Sequence, residues 1–131
     1  MKGFTLVEIM IVVAIVALLA AISIPNLLRA RVTANESSAT TTLKTISNAC
    51  ENYAAGNEGN YPTDITDLTI AIPPYINQDY TAASKSGYNF ACGTLTAVDY
   101  SCTATPVVCN RTGTKTFTII TGGISTYADC I

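Results

Sequence analysis

From Phe4 to Ile24 the chain reads FTLVEIMIVVAIVALLAAISI, 21 residues of which only Glu8 is charged. At a rise of about 1.5 Å per residue a helix of this length reaches about 31 Å, enough to cross the hydrocarbon core of a bilayer. Such a segment can be a cleaved signal peptide, an ordinary membrane anchor, or an apolar helix that waits in lipid and later packs against copies of itself. Glu8 helps to separate the three. An ionised carboxylate inside an apolar span costs about 2.5–3.5 kcal/mol on insertion scales, and the apolar region of a signal peptide gains nothing from it. Glu8 therefore calls for a partner. A cation of the right kind is the free α-amino group that cleavage between Gly3 and Phe4 would create on a neighbouring subunit.

The remainder of the chain narrows the function further. With 131 residues in all, removing the apolar segment leaves roughly a hundred for one small head. The net charge is −2 and there is no His, so the commonest metal ligand and general base is missing. No basic stripe tracks a phosphate backbone, and no Ser/His/Asp or Cys/His set can be built. Neither an enzyme, a cofactor nor a nucleic-acid partner is expected. Five Cys, at 50, 92, 102, 109 and 130, contain no C-x-x-C pair, which favours structural disulfides outside the cytoplasm over zinc or redox chemistry.

Beyond Ile24 the helical pattern continues. Leu28, Val32, Ala39, Leu43, Ile46, Cys50 and Tyr53 recur at mainly three- and four-residue steps, with Arg29, Arg31, Glu36, Lys44 and Glu51 on the opposite face. The spacing predicts one helix from Phe4 to about Ala55, kinked or partly melted around residues 20–26, where Pro25 lacks the N–H that would bond back to Ala21. Residues 54–64, AAGNEGNYPTD, stop it, with Gly56 just past its end. A short helix fits about 65–70, with Asp64 and Asp67 as capping groups rather than an acid–base pair. Pro73-Pro74 forbids regular structure after it. The period then changes to two. Tyr88, Phe90 and Cys92, then Val98, Tyr100, Cys102 and Ala104, then Phe117 and Ile119 predict an antiparallel meander of three or four strands, turning at Gly93 and at residues 110–114. The fold class is α+β, a long N-terminal helix packed on a small antiparallel sheet.

The opening run KGFTLVEIMIVVAIVALLAAISIPNLLRAR resembles the N-terminus of type IV prepilins and the related pseudopilins: a basic residue, Gly, Phe, Thr, Leu, Glu, then an apolar helix interrupted by Pro. The resemblance covers about thirty residues. It implies a leader of residues 1–3, a transmembrane or filament-core helix at 4–24, an upper helical half at 25–55 packed on the head, and a head at 56–131. It implies cleavage after Gly3 by a membrane prepilin peptidase, methylation of the new amino group of Phe4, use of Glu8 in assembly, and loosening of the helix at Pro25. The partners it implies are other copies of the chain in a helical polymer, the peptidase, an inner-membrane assembly platform and its ATPase, and the membrane itself. The subunit would be single-pass in the inner membrane as a precursor and part of an extracellular surface filament once assembled. The leader MKG is shorter than is usual in the family.

Within the family, the NYPT turn at 60–63 resembles major pseudopilins of type II secretion, while the Cys-rich sheet and a closing ITGG without acidic residues resemble pilins. Asp129 alone offers too few oxygens for calcium, so no metal site is expected. Outside the family, the alternatives are a membrane-anchored binding domain that never polymerises, or a small secreted enzyme cut near Ala20–Ser23. The sequence leaves the cysteine pairing open. A hairpin centred near residue 97 would set Cys92 opposite Cys102, and Cys109 with Cys130 would tie down the C-terminus, leaving Cys50 as a small apolar group; joining Cys50 to the sheet or C-terminus is equally consistent. The seven Tyr, the Asn35 and Asn110 sequons and the cations Lys85, Arg111 and Lys115 all have plain surface readings.

Overall fold

The computed structural model describes residues 3–131, in element order α1 (Leu6–Gly56), α2 (Thr66–Ile70), β1 (Tyr88–Leu95), β2 (Tyr100–Pro106), β3 (Lys115–Ile120) and β4 (Ile124–Asp129). The expected leader residues Met1 and Lys2 lie outside the described part. The chain falls into two compact units that divide between Arg31 and Val32.

In the first unit, residues 20–26 are helical throughout and Pro25 lies inside α1, so the melting expected there does not occur. A single proline removes one backbone bond at a cost of about 3 kcal/mol, and the bonds of the Ala-, Ile- and Leu-rich turns on either side keep the helix closed. The fold buries no side chain of this apolar segment: its large hydrophobic residues from Phe4 to Ile24 are each 51 to 85% exposed.

In the second unit, α1 buries Ala39, Thr42, Leu43, Ile46, Ser47, Ala49, Cys50 and Ala54, a stripe at three- and four-residue steps. Facing it are the inward residues of a four-stranded antiparallel sheet in the order β1-β2-β3-β4: Tyr88 and Phe90, Tyr100, Cys102 and Ala104, and Ile119. The stripe begins later than the sequence pattern suggests, since Leu28 is exposed. Leu68 of α2 closes the core from the connecting region, held by capping bonds in which Asp67 accepts from the Thr63 and Asp64 amides and Asp64 from the Thr66 amide.

Two details depart from the sequence expectation, and the number of strands is settled at four. Gly93 is not a turn but the extra residue of a bulge in β1, where the register slips between Cys92 and Thr94; a residue without Cβ suits this irregularity. Val98 lies in the β1–β2 turn rather than a strand, where the Thr96 amide donates to the Asp99 carbonyl. The fourth strand, β4, pairs along its whole length with β3, from Lys115↔Asp129 to Ile120↔Ile124. All six of its residues are exposed, so no inside–outside alternation marks it in the sequence. Cys92 is paired in register with Cys102 and disulfide-bonded to it, and Cys109 is bonded to Cys130. Cys50 is a buried free thiol, and burial, then the adjacent Glu51 charge, push it up to about 12. Gly113 is required by packing: a Cβ there would fall 1.9 Å from the hydroxyl of Tyr88, whose ring crosses it to donate to the Lys115 carbonyl.

Two helix carboxylates that the sequence pattern assigns to the polar face instead bind strand β2 and the loops around the sheet. Glu36 Oε1 accepts from the Thr114 amide at 2.8 Å and the Thr114 hydroxyl at 2.6 Å. Glu51 accepts from the Tyr61 hydroxyl (3.0 Å), the Tyr100 hydroxyl (2.8 Å) and the Gly122 amide (2.9 Å), joining the connecting loop, β2 and the β3–β4 turn to α1. Burial pushes the Glu51 carboxyl upward, but the bonds from Tyr100, Gly122 and Tyr61 together outweigh it and hold the group below its ordinary 4.5. A depressed carboxylate contributes stability above its unfolded value, and that stability is lost as the pH falls through the folded one. Glu51→Gln should therefore lower the thermal midpoint at pH 7, by a stability loss on the order of 1–2 kcal/mol, and flatten the decline below about pH 4.5. Thermal melts across pH of both proteins check this; parallel acid limbs would refute it.

Candidate assembly site

The first turn of α1 places the residues singled out at the N-terminus on one another. Thr5 stands just before the helix, and its hydroxyl accepts from the Glu8 amide at 3.3 Å. In return Glu8 Oε2 accepts from the Thr5 amide at 2.8 Å and the Thr5 hydroxyl at 2.7 Å. This is a reciprocal capping box, the pattern a Thr followed three residues later by Glu produces. It satisfies helix-start amides that have no intrahelical partner and puts negative charge at the positive end of the helix dipole. The carboxylate that is costly in an apolar setting is thus given donors by its own chain.

Around this polar point everything is apolar and open. Phe4 is 85% exposed, and shallow recesses run along the helix beside it, one lined by Phe4, Leu6, Ile9, Met10 and Val13, another by Phe4, Glu8, Ile9 and Val12. The helix is long and apolar enough to cross a membrane. Gly3 has no packing reason to be glycine, since an added Cβ would meet nothing within 4 Å. Among the described residues no three His, Cys, Asp or Glu side chains gather into a metal site. The structure brings together Phe4, Thr5 and Glu8; Pro25 lies about five turns further along α1, and the cysteines belong to the second unit. Sequence reading missed the Thr5 contribution, although the Thr5-x-x-Glu8 spacing carries its signal.

A helix with apolar residues on every face and one capped carboxylate near its start, continuing into a helix packed on a disulfide-stapled antiparallel sheet, describes a subunit whose helix has to be covered by lipid or by other helices. Residues 1–24 match the family model of the prokaryotic N-terminal methylation motif. The chain is 35% identical over 95 residues to the type IV wide pilus major component PilA4 of Thermus thermophilus, a match covering 70% of this chain and 72% of that protein. It is 46% identical over 52 residues to the type IV major pilin protein PilA of Myxococcus xanthus, covering 40% and 24%. It is 34% identical over 86 residues to the type II secretion system core protein G of Vibrio cholerae, covering 66% and 58%. The chain belongs to the type IV pilin and pseudopilin family.

The capping box sets a local expectation. Thr5→Val keeps the shape but removes the hydroxyl, at a cost of about 1 kcal/mol. Amide exchange at residues 6–9, measured by hydrogen–deuterium exchange of the full chain in detergent, should accelerate roughly fivefold; unchanged protection would show that the box does not hold the helix start.

Proposed function

We propose that this protein is a structural subunit of a type IV pilus-like surface filament: inserted in the inner membrane as a precursor, cleaved after Gly3, methylated on Phe4 and polymerised through residues 4–24. On this reading residues 1–3 are the leader, 25–55 the upper helical half and 56–131 the head. The observation that carries it is the wholly exposed apolar helix with a carboxylate capped at its start. Lipid can cover such a surface, and so can a bundle of identical helices in which close packing of Ala, Val and Ile replaces lipid contacts. That Gly3 is a glycine without a packing need supports its use as a recognition element for a peptidase. The relatives named as pilins support a role in a filament rather than in catalysis.

Glu8 is the register element in this reading. An ionised carboxylate unmatched inside an apolar bundle is strongly unfavourable, whereas the amine of a neighbour's Phe4 offsets it, so a subunit at the wrong height is rejected. The prepilin peptidase, the assembly platform and its ATPase are the partners this route requires. The second reading, a pseudopilin of a type II secretion system, rests on the similarity to core protein G. It is distinguished by loss of protein secretion, with surface filaments unaffected, when the chain is deleted.

Intact mass and N-terminal sequencing of sheared, sedimented surface material provide the test. The expected product begins at N-methylated Phe4. A chain that begins at Met1 and stays with the membrane would refute the filament reading in favour of an anchored binding domain. Glu8→Ala should leave precursor levels in the membrane unchanged while reducing sedimentable filaments at least tenfold; normal filament yield would sink the register role.

A further inference from the structure

Two apolar features of the head have no cover within the subunit and match each other. The first is a groove of about 240 Å³ between α1 and β4, floored by Leu43, Phe117 and Ile119 and walled by Thr126 and Tyr127. Leu43 and Ile119 are each only 2% exposed, whereas Tyr127 is 67% exposed, so the groove leads from the surface to the core. The second is the tip after α2, where Ile70 is 72% and Ile72 99% exposed, followed at once by Pro73-Pro74. Two prolines fix the backbone that presents Ile72, so little chain freedom remains to be lost when it is buried.

Charge selects what fits the groove. Lys44 stands exposed on one wall, and the Tyr127 ring of the other wall carries the ammonium of Lys115, itself outside the lining, 4.5 Å from its centre. Asp129 faces Lys115 across the ladder and offsets part of that charge. The chain that carries the Ile72 tip is the opposite: the connecting segment 57–87 holds four carboxylates, Glu58, Asp64, Asp67 and Asp79, against one cation, Lys85. An acidic loop with an apolar tip complements a cationic groove with an apolar floor.

The two features cannot meet within one subunit. The loop ending at Tyr75 packs against Tyr53, with ring centres 5.6 Å apart, and beside Gly56. At about 100° per residue, Tyr53 and Gly56 project from α1 about 120–180° away from Thr40 and Lys44 on the rim of the groove. We propose that the groove between α1 and β4 receives the Ile70–Pro74 tip of a second copy of this chain. Because donor and acceptor patches lie on opposite flanks, the contact is heterologous, and each added head presents a fresh groove or tip to the next. The inference rests on the filament reading above and adds to it the residues through which neighbouring heads recognise each other.

Cysteine cross-linking in filaments of the full chain tests it. Ile72→Cys combined with Thr126→Cys, oxidised in sheared filaments and run without reductant, should give a ladder of dimers, trimers and longer species. Each single variant should stay monomeric, and co-assembly of the two single variants should enrich dimers over longer species. Monomers alone from intact double-variant filaments would overturn the proposal, as would homodimers of Ile72→Cys alone or capture of a different protein at residue 126. Should the double variant not assemble, Ile72→Asp against Ile72→Leu decides: the Asp form should lose filament yield at least tenfold with precursor level unchanged, the Leu form should retain it, and equal yields would overturn the contact. Absence of filaments from the unaltered chain would count against the filament reading itself, whereas missing cross-links within intact filaments count against the groove alone.

Discussion

The apolar surface from Phe4 to Ile24 is what the rest of this protein has to accommodate. Covering apolar area is worth about 25 cal/mol per Å², and here the fold buries none of the large side chains of the segment, which remain more than half exposed. A soluble monomer with such a helix would aggregate through it. The subunit is therefore incomplete by construction, and lipid and sister helices are the two apolar solvents in which it becomes complete. The difference between them is small for the alkyl side chains, since lipid tails are as apolar as Leu. On the proposed reading, transfer from one to the other is decided by what is polar, which in this segment means Glu8 with its Thr5 cap, and Ser23.

The head meets a different constraint. A unit of about a hundred residues has a limited core, and small domains commonly add covalent staples to compensate. Both disulfides lie in the sheet half, one across the β1–β2 pair and one fixing the chain end to the loop before β3. Neither joins α1 to the sheet. That task falls to polar contacts at two heights on the helix, Glu36 with Thr114 near one end and Glu51 with Tyr61, Tyr100 and Gly122 near the other, with the Leu43–Ile46–Cys50 stripe between them. Charged acceptors bonded to backbone amides are stronger than neutral pairs. The upper half of α1 is thus held to the head by directional bonds as well as by packing.

The legibility of these features in the sequence follows from periodicity. A run of 21 residues with one charge, and the inward pairs Tyr88/Phe90, Tyr100/Cys102 and Phe117/Ile119, are repeated signals, and the helix and three strands could be read from them. The register that pairs Cys92 with Cys102 follows from the same parity. What could not be read lacks a period. β4 has no buried face, so nothing in ISTYAD alternates. Glu36 and Glu51 look like solvent-facing charges because their acceptors' partners, Thr114 and Gly122, lie more than seventy residues away. Glu51 sits one turn above buried Ser47, on the border of the apolar stripe, and its neighbours in space are tyrosines; only the sheet's placement reveals that they donate to it. Gly93 reads equally as turn or bulge until the hairpin register is known.

Apolar helix packing is tolerant of sliding and rotation, because one face of Val, Ile and Ala resembles another. A filament built by that force alone would have no defined rise or angle between subunits. Two kinds of group can supply the missing specificity. A carboxylate in a dry bundle tolerates few positions along the axis, so it fixes height; a tip-in-groove contact between heads tolerates few angles, so it fixes rotation. On the proposed reading the first requires only that Glu8 be near the helix start, where Thr5 caps it until a neighbour's amine takes that place. The second requires opposite flanks of one head to be complementary, and an acidic flank bearing Ile72 set against Lys44 and Lys115 beside an apolar groove has that character. Strength from the helix and geometry from a few polar and shaped contacts is the division of labour that the physics of lipid-like packing imposes on a chain of this kind.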